Sequence, residues 1–108
     1  MENRENGGSM KTYSGSRTID GIKVYVDGQP LDERFDIKRF SDSGFEWTYE
    51  GDAPRQLALA LLADHLGDDA KALELSEAFM KTKISDLDND WGLNGDEIDF
   101  ILSELASD

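Results

Sequence analysis

The sequence predicts an α+β domain, in which an N-terminal antiparallel β-meander packs against two to three C-terminal helices. Three observations carry this. Ile22, Val24 and Val26 alternate with Lys23 and Tyr25, the period of a half-buried strand. Phe45, Trp47 and Tyr49 alternate with Glu46 and Thr48 in the same way. Residues 56–66 are rich in Leu and Ala, both good helix formers, and lie between start and stop signals for a helix.

Taken in order, residues 1–10 contain a Gly-Gly-Ser stretch and no apolar periodicity, so a disordered tail is expected there. Residues 11–108 then form one domain. Asp20-Gly21 suits a tight hairpin turn, because Gly accepts positive φ, which makes residues 13–19 the partner strand of 22–26. Asp27-Gly28 followed by Pro30 is a second turn signal. Residues 31–40 fit neither a strand nor a helix period, and 41–44 form a loop. The aromatic stretch from Phe45 to Tyr49 is predicted as a further strand, ended by Gly51.

Asp52 is placed as the N-cap of the first helix, with Pro54 in the first turn, where its missing N–H costs nothing. Apolar residues run nearly all round this helix, which predicts burial on several sides. Gly67 closes it and Asp68 caps the next, residues 69–81, where Leu73, Ser76, Phe79 and Met80 share a face. The short link forces the two helices into an antiparallel or sharply angled pair. A last helix over 95–105 carries Ile98, Ile101, Leu102 and Leu105 on one stripe, and Asn94 and Glu97 have the spacing of a capping box.

Charge is the dominant feature of the composition. Twenty-four acids face 11 bases, for a formal net charge of −13. From Ile84 onward there are acids at 86, 88, 90, 96, 97, 99, 104 and 108 and no base. Such a field repels nucleic acids and anionic membrane surfaces, so neither is an expected direct partner. The acidity fits adaptation to a salty cytoplasm or, alternatively, imitation of nucleic acid. The absence of cysteine excludes a disulfide framework, a thiol nucleophile and thiolate metal ligands. No apolar run approaches the roughly 20 residues of a membrane span. The polar start lacks the apolar core of a signal peptide, and a cytoplasmic protein is expected.

Few residues offer chemistry. Asp86, Asp88, Asp90 and Glu97 fall at positions 1, 3, 5 and 12 of a calcium loop, with Leu93 at position 8. Trp91 stands at position 6, where the sharp turn wants Gly, and the loop is single. The competing reading is an acidic loop ending in a helix cap. His65, near a helix end, suits a bond to a free carbonyl better than catalysis. Glu46 lies on the predicted aromatic strand and is expected to face solvent. The aromatic face itself has acids rather than Lys and Arg as neighbours, which points to core packing over base stacking.

The segments Gly44-Phe45-Glu46-Trp47-Thr48-Tyr49 and Gly51-Asp52-Ala53-Pro54-Arg55-Gln56-Leu57-Ala58-Leu59-Ala60-Leu61-Leu62 resemble a small domain of unknown function. That family is found in salt-loving archaea, in bacteria and on mobile elements. Tyr13-Ser14-Gly15-Ser16-Arg17, Val26-Asp27-Gly28-Gln29-Pro30-Leu31 and Trp91-Gly92-Leu93 before Glu97-Ile98 follow in the same order. The resemblance implies that residues 1–9 are an appendage and that Glu97 caps the last helix, and it supplies no catalytic residues.

The expected function is a non-enzymatic acidic binding or regulatory module, without cofactor, acting on an unidentified protein partner as a monomer or homodimer. Its expected contact surface is formed by Gly44, Glu46, Trp47 and Gln56. The alternatives are a nucleic-acid mimic that inhibits a nucleic-acid-processing protein through the acids between 86 and 99, and a calcium-binding module at the 86–97 loop.

Overall fold

A computed structural model of the protein describes residues 11–106, so the expected tail over 1–10 lies outside the described residues. The α+β expectation holds. Strands β1 (Thr12–Thr18), β2 (Gly21–Val26), β3 (Gln29–Pro30) and β4 (Trp91–Asn94) form one antiparallel sheet in the order β3-β2-β1-β4. Helices α1 (Asp52–Leu66), α2 (Asp69–Thr82) and α3 (Gly95–Ala106) follow, with a 3-10 turn at Ile84–Asp86.

Local chemistry sets most of these boundaries. The β1–β2 loop is Ile19-Asp20, one residue earlier than the Asp20-Gly21 predicted, and Gly21 at φ +112° opens β2. At the second hairpin Asp27 and Gly28 both take positive φ, as a two-residue turn matching the sheet twist requires. Gly67 ends α1 in the left-handed region, its N–H on the Ala63 carbonyl. Asp68 caps α2 by accepting from the Lys71 N–H. Asp52 is the first residue of α1 and not its cap: Gly51 holds the cap position without a side-chain bond. Asn94 and Glu97 bond each other's backbone N–H groups at 2.9 Å, the predicted capping box.

One predicted strand is absent and one strand is present that was not predicted. Residues 45–49 form no strand: the chain there is irregular, and Thr48 sits at φ +80°. The fourth strand is β4, whose Trp91 and Leu93 pair with Gly15 and Tyr13 of β1. Aromatic alternation at 45–49 arises because Trp47 enters the core while Glu46 and Thr48 meet Arg17. No ladder is involved.

Tyr13, Gly15, Val24, Trp91 and Leu93 are buried on one face of the sheet, while Thr12, Lys23 and Gly92 are exposed on the other, a one-sided sheet. Helix α1 is buried continuously from Leu57 to Ala63, as its all-round apolar pattern predicted. Leu59, Leu61 and Leu62 join Tyr13, Trp47, Phe79, Ile84 and Ile98 in one core. Burying a large apolar side chain contributes roughly 1.5–3 kcal/mol, so α1 is the principal apolar contributor.

One polar side chain interrupts the buried stretch of that helix. Gln56 is fully buried. Its Nε2 donates to the carbonyls of Glu33 (2.7 Å) and Lys38 (3.0 Å). Its Oε1 accepts from the N–H groups of Phe40 (2.7 Å) and Ser41 (3.3 Å). Both amide protons and both lone pairs are therefore used, and the irregular 33–41 segment, which has no ladder of its own, is latched onto α1. A second, partly buried polar contact joins the sheet to α1: the Tyr13 hydroxyl donates to Asp64 at 2.7 Å, and Lys11 reaches the same carboxylate at 3.2 Å. Burial first, and then the Asp64 hydrogen bond, push the Tyr13 phenol far above its ordinary value of 10.0.

Gln56→Ala leaves these backbone groups without their partner and is expected to cost about 3 kcal/mol in urea unfolding; a loss below about 1 kcal/mol would show that the amide is not the latch. The raised phenol pKa means that unfolded Tyr13 ionises where folded Tyr13 does not. Its contribution is fully present below pH 10 and declines above it, by about 1.4 kcal/mol per pH unit. Tyr13→Phe is expected to flatten the alkaline limb of a stability-against-pH curve by that slope, and an unchanged limb would contradict the assignment.

Candidate functional site

Arg17, at the end of β1, gathers three parts of the chain. Its Nη1 pairs with Glu46 at 2.8 Å, its Nη2 donates to the Trp47 carbonyl at 3.0 Å and to Thr48 Oγ1 at 3.3 Å, and its Nε donates to Asn89 at 3.1 Å. The guanidinium also lies 4.9 Å from the Trp47 ring centroid, a distance at which cation–π attraction operates. Trp47 meets Trp91 edge to face, with centroids 5.7 Å apart. Trp91 can sit there because β1 has glycine opposite: a Cβ on Gly15 would lie 2.5 Å from the Trp91 ring. The knot also holds Thr48 at φ +80°, a costly conformation for a β-branched residue. Its N–H bonds the Ile84 carbonyl and its hydroxyl the Trp47 carbonyl.

Through Glu46 the knot reaches the lining of an open cleft of about 660 Å³. One wall is β2, from Gly21 to Tyr25. Phe45, Glu46 and Ser43 line the cleft as well, with Pro30, Leu31 and Glu33. The cleft exists because β3 is only two residues long. It pairs with Tyr25 and Val26, Leu31 adds one bond to the Val24 carbonyl, and the chain then leaves the sheet. The cleft thus combines apolar surface, two carboxylates, one ammonium from Lys23 and strand backbone, a set suited to binding.

Of the four residues expected at a contact surface, only Glu46 lines this cleft, and Arg17 holds it. Gly44 is buried at φ +88°, where a Cβ would fall 2.9 Å from the Glu33 carboxylate. Trp47 and Gln56 are fully buried. Neither of these two is available to a partner; the first anchors the core and the second latches the irregular segment. Arg17, Ile22, Lys23 and Phe45 are the residues that the sequence reading passed over. Arg17 did appear at the end of the Tyr13-to-Arg17 motif, but a single cation in an acidic chain gives no sign of four partners.

The calcium-loop positions are not assembled. Asp86 ends the 3-10 turn, Asp88 and Asp90 are exposed, positions 6–9 of the loop are strand β4, and Glu97 is engaged in its capping box. Among the described residues no three His, Asp or Glu side chains group to hold a metal ion. His65 bonds Asp99 at 2.6 Å and so ties α1 to α3; it does not cap a carbonyl. A smaller cleft of about 480 Å³ lies between Lys83, Asp86, Asp96 and Phe100, the last 66 % exposed.

Arg17→Lys retains the charge but replaces a five-donor planar fork with a single ammonium. It is expected to lower stability by about 1–2 kcal/mol in chemical denaturation. A neutral result would show that the knot contributes only its charge.

Among the described residues no helix is long and apolar enough to cross a membrane. No curated protein and no solved structure matches the chain. A family described only as being of unknown function matches residues 13–104, nearly the span over which the sequence motifs resemble a small uncharacterised domain. Residues 13–104 include the β1 motif, the Gln56 latch, the Arg17 knot and the lining of the cleft, and on that match the chain belongs to the family of unknown function DUF6166.

Proposed function

We propose that this domain is a non-enzymatic cytoplasmic binding module that acts through contact with another protein, and that the cleft beside β2 is its contact surface. The observation that carries the reading is the opening itself. The sheet stops pairing after two residues of β3, and the space alongside is walled by Phe45, Ile22 and Leu31. Apolar walls with a few polar groups are what recognition sites offer. The strained, multiply bonded 46–48 segment, whose Glu46 lines the cleft, supports the same reading, since strain concentrates at functional positions.

The nucleic-acid mimic is the second reading. It is favoured by Asp86, Asp88, Asp90 and Asp96, which are exposed and form no ion pair among the described residues. Such a surface attracts a basic partner over long range, and salt weakens it.

One affinity experiment separates the two. Wild type is compared with Ser43→Arg, which puts a long cation into the cleft from an exposed position, and with a variant carrying Asn at 86, 88, 90 and 96. The cleft reading expects a partner in host extract that Ser43→Arg loses and the Asn variant keeps. Loss by the Asn variant alone, with elution as salt rises, would replace it with the mimic.

A further inference from the structure

We infer that the cleft takes an extended, basic peptide segment as an added strand on the open edge of β2. This deepens the proposed function and rests on it. In an antiparallel ladder a strand's backbone groups face its two neighbours alternately. The Asp27 N–H bonds the Thr12 carbonyl in β1, and the Val24 carbonyl accepts from Leu31 on the opposite side. By that alternation Ile22 turns its N–H and C=O to the same side as Val24, where β3 has already ended. Neither Ile22 group has a partner among the described residues. An extended chain entering beyond Leu31 meets this edge in line with β3, with Phe45 in the lining of the cleft. Adding a strand supplies backbone bonds for affinity, and pockets for alternate side chains supply selectivity.

Charge identifies the occupant. Glu33 lines the cleft and forms no ion pair among the described residues. Glu46 is already paired with Arg17. The whole chain carries −13, so a cationic segment is attracted from a distance and finds one uncommitted carboxylate at the cleft. A second copy of this chain fits badly. It would bring two strongly acidic bodies together, and the edge carries Lys23 and Pro30, residue types that discourage self-pairing. The segment therefore alternates apolar residues, against Ile22 and Phe45, with Lys or Arg.

The probe is an end-capped eight-residue peptide alternating valine and lysine, titrated into the full chain with backbone amide NMR as the readout. Strand addition expects shifts at Ile22, Val24 and Phe45 and slowed hydrogen exchange at the Ile22 amide. It also expects that N-methylating either all valines or all lysines weakens binding about tenfold while the other isomer still binds, because only one set of N–H groups faces β2. Glu33→Gln is expected to weaken the lysine peptide by roughly threefold, the size of an exposed ion pair. Equal binding of both methylated isomers in the cleft would overturn strand addition and leave the protein-contact reading standing. Binding only at the α3 acids would overturn both. No binding, or equal binding of the glutamate counterpart, would overturn the basic extended segment, while the Ser43→Arg comparison still decides the protein-contact reading.

Discussion

The placement of the irregular segment against the core depends on a single side-chain amide. Residues 31–47 cross the face of the core with almost no regular structure, and a segment of that kind cannot satisfy its own backbone groups. Gln56 meets the need from the buried stretch of α1, whose other members are apolar. Because α1 is buried continuously from Gln56 to Ala63, the amide fixes the irregular segment relative to the core. Phe45 and Glu33 then stand at a set distance from β2, and the cleft is a consequence of that spacing. The polar group is tolerated in the core because it is fully paired; half satisfied, it would cost more than an apolar residue.

The basic residues follow a similar logic. Arg17 closes the knot at Trp47. Arg34, at φ +58°, pairs with Asp36 and reaches Asp69 at the start of α2. The adjacent Asp36 carboxylate holds the Arg34 guanidinium above its ordinary value, and the guanidinium in turn holds Asp36 below the usual carboxylate range. Arg55 bonds Ser76 on α2 and lies over the Phe40 ring. Arg39 lies over Phe35. Four of the eleven bases are thus committed to irregular segments and helix ends, so the acids left on the surface far exceed the free cations. The outward electrostatic character of this domain is set partly by where its arginines are used internally.

Much of the architecture was legible in the sequence. The two hairpins, the Gly67-Asp68 joint and the Asn94–Glu97 box are each written in a few adjacent residues whose chemistry has one good use. The failures share a cause. Phe45, Trp47 and Tyr49 have the spacing of a strand, but β1 already pairs with β2 on one side and β4 on the other, and Trp47 in the core with Arg17 on Glu46 and Thr48 holds this segment off the free edge of β2. Which segment pairs with the second edge of β1 is decided by Gly15 and Trp91, far apart in sequence, whose fit only the folded chain displays. Trp47 and Gln56 belong to the motifs that carry the family resemblance, and the structure places both in the core and not at a contact surface. Their distinctiveness reflects the core they build. The cleft was invisible because it arises from a strand that stops early, and the sequence carries no mark for an unpaired amide.

The pairing of β1 with β4 has a further consequence. Tyr13 lies opposite Leu93, so β1 waits for residues 91–94, about 80 positions further along, before its second edge is covered. Closing so long a loop is entropically slow, and non-local pairing of this kind retards folding. On the ribosome, β1, β2, α1 and α2 emerge while β4 is still within the exit tunnel or unmade. During that interval the seat opposite Gly15 is uncovered and Trp47 lacks its aromatic neighbour. Commitment to the native state is therefore tied to the appearance of residues 91–94, and chains ending before residue 91 lack the strand that completes the sheet.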